Sequence, residues 1–188
     1  MFLLAGLGNP GLNYQFTKHN FGFLTLDQII TDYNLSAKGT KYNSELFSGD
    51  ILQYKIIAVK PQTYMNLCGP AIQSAAAFYK ITPQNIIVFH DDLDLPFGKV
   101  KVKIGGGHAG HNGLRSIDSV IGKNYIRVRL GIGRPENQLH EISDYVLSKF
   151  DDQQLKTIEV INRKISDLIA LVIEGKFSDF MNKLHIAN

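Results

Sequence analysis

The sequence contains a single cysteine, Cys68, among its 188 residues, which excludes an internal disulfide. No apolar stretch approaches the roughly 20 residues that a membrane-spanning helix needs, and the N-terminus lacks the basic segment and apolar core of a signal peptide. Internal repeats and low-complexity tracts are absent as well. These absences favour a globular protein of a reducing compartment, so we expect a cytoplasmic location and no membrane contact.

Charge is unevenly distributed along a chain of ordinary globular composition, with 44% apolar and 20% charged residues. The formal net charge is only +3. Residues 99–134, however, contain eight Lys or Arg and a single acid, Asp118, so this window carries +7 and the remaining chain carries −4. Segregation of this kind favours a polyanionic partner, although a solvated polar face would also account for it.

Strand and helix patterns alternate throughout the sequence. Continuous or period-two apolar segments predict strands at residues 2–7, 44–51, 54–60, 86–89, 99–104 and 126–132. Helical spacing, with Asn20 as the first N-cap and a break at Gly175, predicts helices at residues 21–33, 70–80, 111–122 and 151–184. We therefore expect a single domain over residues 1–188, a three-layer α/β/α fold around a twisted, mixed and largely parallel sheet, with a helical segment from about residue 151.

The segment GLGNPG at residues 6–11 follows the first predicted strand and matches the G-x-G-x-x-G pattern of dinucleotide-binding loops. Such a loop needs a helix that begins at its third glycine, whereas helical spacing begins here only near Asn20. The acidic residue expected about 20 positions later, at the end of a second strand, is also missing. The glycines and Pro10 are better suited to a rigid turn that presents Asn9 at the end of a strand.

Four loops that follow predicted strands carry His, Asp and Asn residues, and in such folds these loops meet at one edge of the sheet. One chemistry that fits them is metal binding. The permissible ligands are His90, Asp91, Asp92, Asp94, His108 and His111. Their spacing matches no standard metal motif.

The other chemistry is metal-free hydrolysis. In this interpretation His19 takes a proton from water and Asp91 orients its ring. Neutral amides from Asn9, Asn66 and Asn112 would bind carbonyl groups and the developing oxyanion. The sequence has no G-x-S-x-G element, which favours direct attack by water over an acyl-enzyme.

Two predicted strands, KVKVKI at 99–104 and IRVRLGI at 126–132, place basic residues on one face. In the first strand the valines and Ile104 occupy the other face. An amphipathic strand with its polar face in solvent would explain each pattern separately. If the strands are neighbours, they form a phosphate-binding patch beside the loops described above.

Several motifs in order resemble those of the bacterial-type peptidyl-tRNA hydrolase family. They are GLGNPG with Tyr14 and KHNFG at 18–22, KPQTYMNLCG at 60–69, HDDLDLPFG at 90–98, GGGHAGHNGLRS at 105–116 and RVRLGIGRP at 127–135. The resemblance runs from residue 2 to about residue 150 and includes DYVLSKF at 144–150. The C-terminal tail is similar only in its helical character.

This resemblance implies hydrolysis of the ester between a peptide and the 3′-terminal ribose of tRNA, by a monomer without metal, cofactor or obligate protein partner. The enzyme would bind the acceptor stem and the 3′ CCA end. It implies catalytic roles for His19 as general base, Asp91 as its partner, and Asn9 and Asn112. It also implies a substrate site formed by Tyr14, Asn20, Tyr64, Met65, Asn66 and His111, and a grip on the tRNA 5′ phosphate by Lys103 and Arg129.

The chain also departs from the family pattern. Lys18 stands where Arg is common, Cys68 where Ser is common and Glu136 where Gly is frequent. Cys68 would make the enzyme somewhat more sensitive to thiol reagents. Three other classes stay open: a binding module that keeps the fold but works through a protein partner, a metal-dependent hydrolase, and a dinucleotide enzyme.

Overall fold

Seven strands form one mixed sheet in the computed structural model, which describes residues 1–137 and 141–186. In chain order the strands are β1 (Phe2–Gly6), β2 (Ser36–Lys41), β3 (Ser44–Ile51), β4 (Tyr54–Pro61), β5 (Ile86–Asp92), β6 (Val100–Ile104) and β7 (Ile126–Gly131). Their order across the sheet is β2-β3-β4-β1-β5-β7-β6. The central strands β4, β1, β5 and β7 are parallel neighbours, and the outer strands pair antiparallel. The predicted mixed, largely parallel sheet is confirmed.

Helices cover both faces of this sheet. They are α1 (Phe21–Asp32), α2 (Cys68–Phe78), α3 (Asn112–Ile121), α4 (Ile142–Leu147), α5 (Asp152–Ile173) and α6 (Phe177–Leu184). Because side chains alternate across a strand, β1 contributes to two cores. Leu4 packs with α1, α5 and α6, whereas Leu3 and Ala5 pack with α2 and α3. The three-layer α/β/α fold is therefore confirmed. Within the described residues, no helix is long and apolar enough to cross a membrane.

The sequence patterns miss two elements, β2 and α4. All six residues of β2 are exposed, so this strand has no buried face that would leave a period-two signal. Its pairing with β3 rests on backbone hydrogen bonds. The helix α4 has six residues, which is too short to show helical spacing. The structure nevertheless places α4 beside the candidate site.

A close approach between α1 and the sheet positions the segment that precedes this helix. A β-carbon on Gly22 would overlap the carbonyl oxygen of Phe89 and lie 2.6 Å from the backbone nitrogen of Leu7, so the contact requires glycine. Phe23 N donates to Leu7 O at 3.1 Å in the same region. The 3₁₀ turn Lys18–Asn20, directly before α1, is thereby held against the carboxyl ends of β1 and β5.

Candidate active site

The backbone of Asn9 is fixed by the side chain of Asn20. Asn20 accepts a hydrogen bond from Asn9 N at 2.8 Å and donates one to Asn9 O at 2.9 Å. The side-chain oxygen of Asn9 in turn accepts from Met65 N at 2.7 Å. With its oxygen engaged in this way, the Asn9 side chain presents its NH2 group as a donor.

The GLGNPG loop forms a turn rather than the start of a long helix. A single 3₁₀ turn, Leu12–Tyr14, follows Gly11, and α1 begins only at Phe21. The loop therefore lacks the helix N-terminus on which a dinucleotide pyrophosphate would rest. This geometry favours the alternative prediction, in which the loop presents Asn9.

The sequence predicts two roles for Asn20, as the N-cap of α1 and as a substrate residue. Its side chain makes no capping hydrogen bond to α1. It is also 2% exposed and lines neither of the cavities described below. Because both polar atoms of its amide bind the Asn9 backbone, Asn20 fixes the position of Asn9.

His19 and Asp91 form a buried pair. His19 Nδ1 lies 2.9 Å from Asp91 Oδ2 and 3.0 Å from Oδ1. On the other side of the carboxylate, His111 Nε2 lies 2.8 Å from Oδ1. The Nδ1 atom of His111 accepts hydrogen bonds from the backbone nitrogens of Gly113 and Leu114, at 3.1 and 3.3 Å, and so caps α3.

This network determines which ring nitrogens carry protons. Because Nδ1 of His111 accepts, the proton of the neutral ring is on Nε2, and His111 donates to Asp91. His19 likewise donates from Nδ1, since the carboxylate can only accept. The lone pair on His19 Nε2 is therefore left for a proton from the substrate side. The sequence assigned His111 to substrate binding, whereas its two ring nitrogens bind Asp91 and α3.

Burial and charge set the protonation of the pair. Burial by itself raises the pKa of Asp91, but the charges and hydrogen bonds of His19 and His111 hold that pKa well below its usual range. Burial likewise lowers the pKa of His19. The Asp91 carboxylate outweighs this effect through its charge and hydrogen bond, and the His19 pKa is raised above its ordinary value of 6.5. Asp91 is thus ionised at neutral pH and strengthens His19 as a base.

A third imidazole, His90, lies behind this pair and stays uncharged. Its Nδ1 atom donates to the carbonyl oxygen of Asp91 at 2.8 Å, and its ring packs edge-on against His111 with centroids 5.3 Å apart. Burial, supported by the charge of His111, lowers the pKa of His90 to about 3. His90 therefore adds no positive charge that would compete with His19 for the Asp91 carboxylate.

Two cavities meet at His19. The first has a volume of about 460 Å³ and lies beside the carboxyl ends of β5 and β7 and the glycine-rich loop 105–111. The second, of about 800 Å³, lies between the Asn9 loop and the starts of α2 and α3. His19, Asn112, Ser143 and Val146 line both. A substrate with two unlike halves can therefore place one half in each cavity, with its reactive bond at His19.

The second cavity brings together most of the predicted substrate residues. These are Tyr14, Tyr64, Met65 and Asn66, and the predicted catalytic residues Asn9 and Asn112 line the same cavity. The rings of Tyr14 and Tyr64 meet edge-on at 6.4 Å, and Asn66 is exposed. Helix capping does not explain Asn66, because the N-cap of α2 is Leu67.

Comparison with known proteins gives the family. The sequence matches the family model described as peptidyl-tRNA hydrolase over residues 3–188. The chain belongs to the peptidyl-tRNA hydrolase family. Proteins named peptidyl-tRNA hydrolase from Rickettsia canadensis (strain McKiel) and Rickettsia rickettsii (strain Sheila Smith) are 44% and 45% identical to it over 185 residues, which is 98% of this chain and 100% of each relative.

A solved structure agrees with this assignment. The crystal structure of peptidyl-tRNA hydrolase from Acinetobacter baumannii superposes with a TM-score of 0.91 at 34% identity, covering 100% of this chain and 96% of that one. The family resemblance seen in the sequence motifs is confirmed.

The basic strands of this peptidyl-tRNA hydrolase family member are neighbours, as the phosphate-patch interpretation requires. β6 and β7 pair antiparallel, with Lys101 opposite Arg129 and Lys103 opposite Arg127. Lys103 and Arg129 both line the first cavity, so they lie in the same hollow as His19. Ile104, predicted to face the core, is 55% exposed because it is the last residue of an edge strand.

The prediction that Arg127 lies on an exposed basic face is wrong. Its side chain is fully buried, with Nη2 2.9 Å from Asp118 and Nη1 donating to the Gly107 carbonyl at 2.8 Å. Arg129 is also paired, since its Nε donates to Asp92 at 2.7 Å. Arg127 therefore joins α3 to the glycine-rich loop instead of facing solvent. Strand alternation could not reveal this, because Asp118 reaches Arg127 only through the packing of α3.

Among the described residues, one cluster has donor atoms placed for a metal ion: His19, Asp91 and His111, whose ligand atoms lie within 4.8 Å of one another. Of the six ligands proposed from the sequence, it contains Asp91 and His111. Both ring nitrogens that face Asp91 carry protons in hydrogen bonds, which a metal ion would have to displace. The arrangement is suited to proton transfer.

Helix α4 contributes to the site, although no sequence pattern predicts it. Ser143 and Val146 of this helix line both cavities. The segment after α4 is tied to the residue before His19, because Lys18 Nζ donates to Ser148 Oγ at 2.9 Å and to the Lys149 carbonyl at 3.2 Å. The only sign of α4 in the sequence is the family-like stretch DYVLSKF at 144–150.

Proposed function

We propose that this protein hydrolyses the ester between a peptide and the 3′-terminal ribose of tRNA, with water activated by His19. The observation that carries this proposal is the buried His19–Asp91 pair, with 2.9 Å between Nδ1 and Oδ2, at the junction of two cavities of different character. Membership of the peptidyl-tRNA hydrolase family supports the same reaction and substrate. The site is complete within one chain, which supports action as a monomer.

In the proposed reaction His19 Nε2 takes a proton from water as the water oxygen attacks the ester carbonyl carbon. The imidazolium that forms is stabilised by Asp91, and it then returns the proton to the departing ribose 3′ oxygen. General base catalysis of this kind contributes about 10²- to 10⁴-fold. An ester is already activated towards hydrolysis, so one positioned base and one oxyanion donor are sufficient.

The amides of the second cavity would supply the donors. The NH2 group of Asn9 is aimed by the hydrogen bond from Met65 N to its oxygen, so it can donate to the oxyanion without rearrangement. Asn66 and Asn112, which line the same cavity, would bind the peptide group beyond the ester. A tRNA that carries only an amino acid lacks this group and would leave those amides unpaired, which explains how such a substrate would escape hydrolysis.

The first cavity would receive the nucleic acid. Lys103 and Arg129 line it, and we assign to them the 5′ phosphate of the tRNA, with the acceptor stem and the 3′ CCA end crossing towards His19. Lys103→Gln or Arg129→Gln should raise KM more than it lowers kcat, and each should reduce the salt slope of binding by about one unit. Lys41→Gln, on the opposite edge strand β2, is the matched control. An unchanged salt slope would remove these residues from the tRNA site.

The decisive experiment is a release assay with N-acylated aminoacyl-tRNA. His19→Asn should reduce turnover at least about 10³-fold while tRNA binding is retained, and His185→Asn, directly after α6, should stay near the wild-type rate. A His19 variant with the wild-type rate would refute the assignment. If the wild-type protein binds the substrate but releases no tRNA in a single-turnover experiment, it is a binding module instead.

A further inference from the structure

In the first cavity every carboxylate has a partner, whereas one cation has no ion-pair partner among the described residues. Three carboxylates line it, and each already has a partner: Asp91 accepts from two histidines, Asp92 from Arg129 and Asp94 from Arg134. Lys103 also lines the cavity but makes no ion pair among the described residues. It is therefore the cation of this cavity whose charge is not balanced by a neighbouring acid.

Lys103 is also surrounded by other cations. It stands directly opposite Arg127 in the β6–β7 pair, and Arg129 lies on the same face of β7. Its amine lies over the glycine-rich loop, where a β-carbon on Gly106 would be 2.7 Å from Nζ. Burial and the charges of Arg129 and Arg127 lower the pKa of Lys103, although Asp92 partly opposes them. A lysine in such surroundings keeps more of its amine in the neutral, nucleophilic form.

The same cavity can hold a small phosphate beside this amine. Arg129 uses Nε to bind Asp92, and within the described part of the chain its two terminal nitrogens make no hydrogen bond, so they are free to bind an anion. A cavity of about 460 Å³ is ample for a molecule of a few heavy atoms. An electrophile attached to a phosphate would thus be held next to a nucleophile.

We propose that Lys103 is a covalent modification site for acyl phosphates, which dock their phosphate in the first cavity and transfer their acyl group to Nζ. The neutral amine attacks the acyl carbonyl carbon, a C–N bond forms, and the C–O bond to phosphate breaks. Inorganic phosphate leaves with the electron pair of that bond, and the nitrogen releases one proton to water. The product is an uncharged amide at Lys103.

Acylation would also weaken the substrate grip. If Lys103 binds the tRNA phosphate, a consequence that rests on the proposed function, the modified protein should show a raised KM and a shallower salt dependence, the same result that is expected of Lys103→Gln. The modification itself does not depend on that function, because it needs only the cavity, the arginine and the amine.

The test measures acylation directly by mass. The full-length protein is incubated with acetyl phosphate near neutral pH, digested, and analysed for site occupancy by peptide mass spectrometry. Lys99, directly before β6, and Lys101, within it, are exposed and lie outside the cavity lining, so they are internal controls. We expect Lys103 to react at least about fivefold faster than either. Equal rates at the three lysines would overturn the proposal.

Two comparisons separate docking from simple reactivity. Acetic anhydride, which has no phosphate, should show a smaller preference for Lys103, and inorganic phosphate should slow the reaction with acetyl phosphate. Arg129→Gln should reduce the preference for Lys103 to no more than that seen with acetic anhydride, whereas Arg163→Gln on the exposed face of α5 should keep it. An identical preference with both reagents would refute phosphate docking. An acylated protein with unchanged KM would refute the tRNA role of Lys103 and leave the modification site standing.

Discussion

Replacing Asp91 by Asn tests the hydrogen-bond network around His19. The change keeps the size of the side chain, but one oxygen becomes an NH2 group. His111 must still donate from Nε2, because its Nδ1 accepts from Gly113 N and Leu114 N at 3.1 and 3.3 Å. The amide oxygen is thus drawn to His111, and the NH2 group takes the place of Oδ2, which lies 2.9 Å from His19 Nδ1.

The NH2 group then faces His19 Nδ1 at 2.9 Å, closer than the amide oxygen at 3.0 Å, which favours the tautomer with its proton on Nε2. The lone pair that should accept a proton from water now points at the amide, and the imidazolium loses its counter-charge. The same change in Ser-His-Asp triads lowers kcat by about 10⁴ for this reason. We expect a loss of about 10³- to 10⁴-fold here, which corresponds to about 4 to 5.5 kcal/mol of activation free energy.

The variant also has a signature in its pH profile. Burial lowers the pKa of His19 and the Asp91 carboxylate raises it, with a raised value as the net result. Removing the carboxylate charge leaves burial unopposed, so the His19 pKa falls. Because the neutral ring is the active base, the residual activity should persist to lower pH than in the wild-type protein.

The assay measures kcat for release of tRNA from N-acylated aminoacyl-tRNA between about pH 5 and pH 9, with circular dichroism to verify folding. Asp50→Asn, the same change at an exposed carboxylate in the β3–β4 hairpin, is the control and should retain wild-type kinetics. A kcat for Asp91→Asn within about tenfold of wild type, or an acid limb that moves to higher pH, would refute the role assigned to this carboxylate.

Three further predictions concern the scaffold. Arg127→Ala leaves the buried carboxylate of Asp118 without its ion partner and should cost about 3–5 kcal/mol in urea unfolding; a loss below about 1 kcal/mol would contradict a buried pair. Gly22→Ala should destabilise by at least about 1–3 kcal/mol because its β-carbon overlaps the Phe89 carbonyl, whereas Gly107→Ala meets nothing within 4 Å and should change thermal stability little. Burial raises the pKa of Cys68 to about 12, so its thiol should resist Ellman's reagent until the protein is unfolded, contrary to the thiol sensitivity predicted from sequence; prompt labelling of the native protein would disprove this.

The sequence was most informative where burial leaves a pattern. The run at 86–89 is apolar on every residue because β5 is buried on both faces, and Asp91 follows two residues later on the same strand. Helical spacing of apolar residues predicted α1, and thereby the loop before it that carries His19. Because strand ends in a parallel sheet converge, a coarse secondary-structure prediction was sufficient to bring these two residues to one edge.

Partnerships between distant side chains left no such pattern. The alternation of IRVRLGI is the same whether Arg127 faces water or a carboxylate, and only the packing of α3 brings in Asp118. Asn20 precedes a helix, where capping is the ordinary expectation, yet its amide binds the backbone of Asn9. His111 belongs to a functional motif, but its attachment to Asp91 depends on how the glycine-rich loop folds.

The hydrogen-bonded cluster of Asn9, Asn20 and the Met65 backbone is made entirely of groups that do not ionise. Protonation in the physiological range cannot release it, and Asp91 stays ionised because its pKa lies well below its usual range. His19 can therefore gain and lose its proton while the donors around the reacting bond keep their places. The fall in activity at low pH should accordingly be fully and rapidly reversible, since it reports the charge of one imidazole rather than a change in the shape of the site.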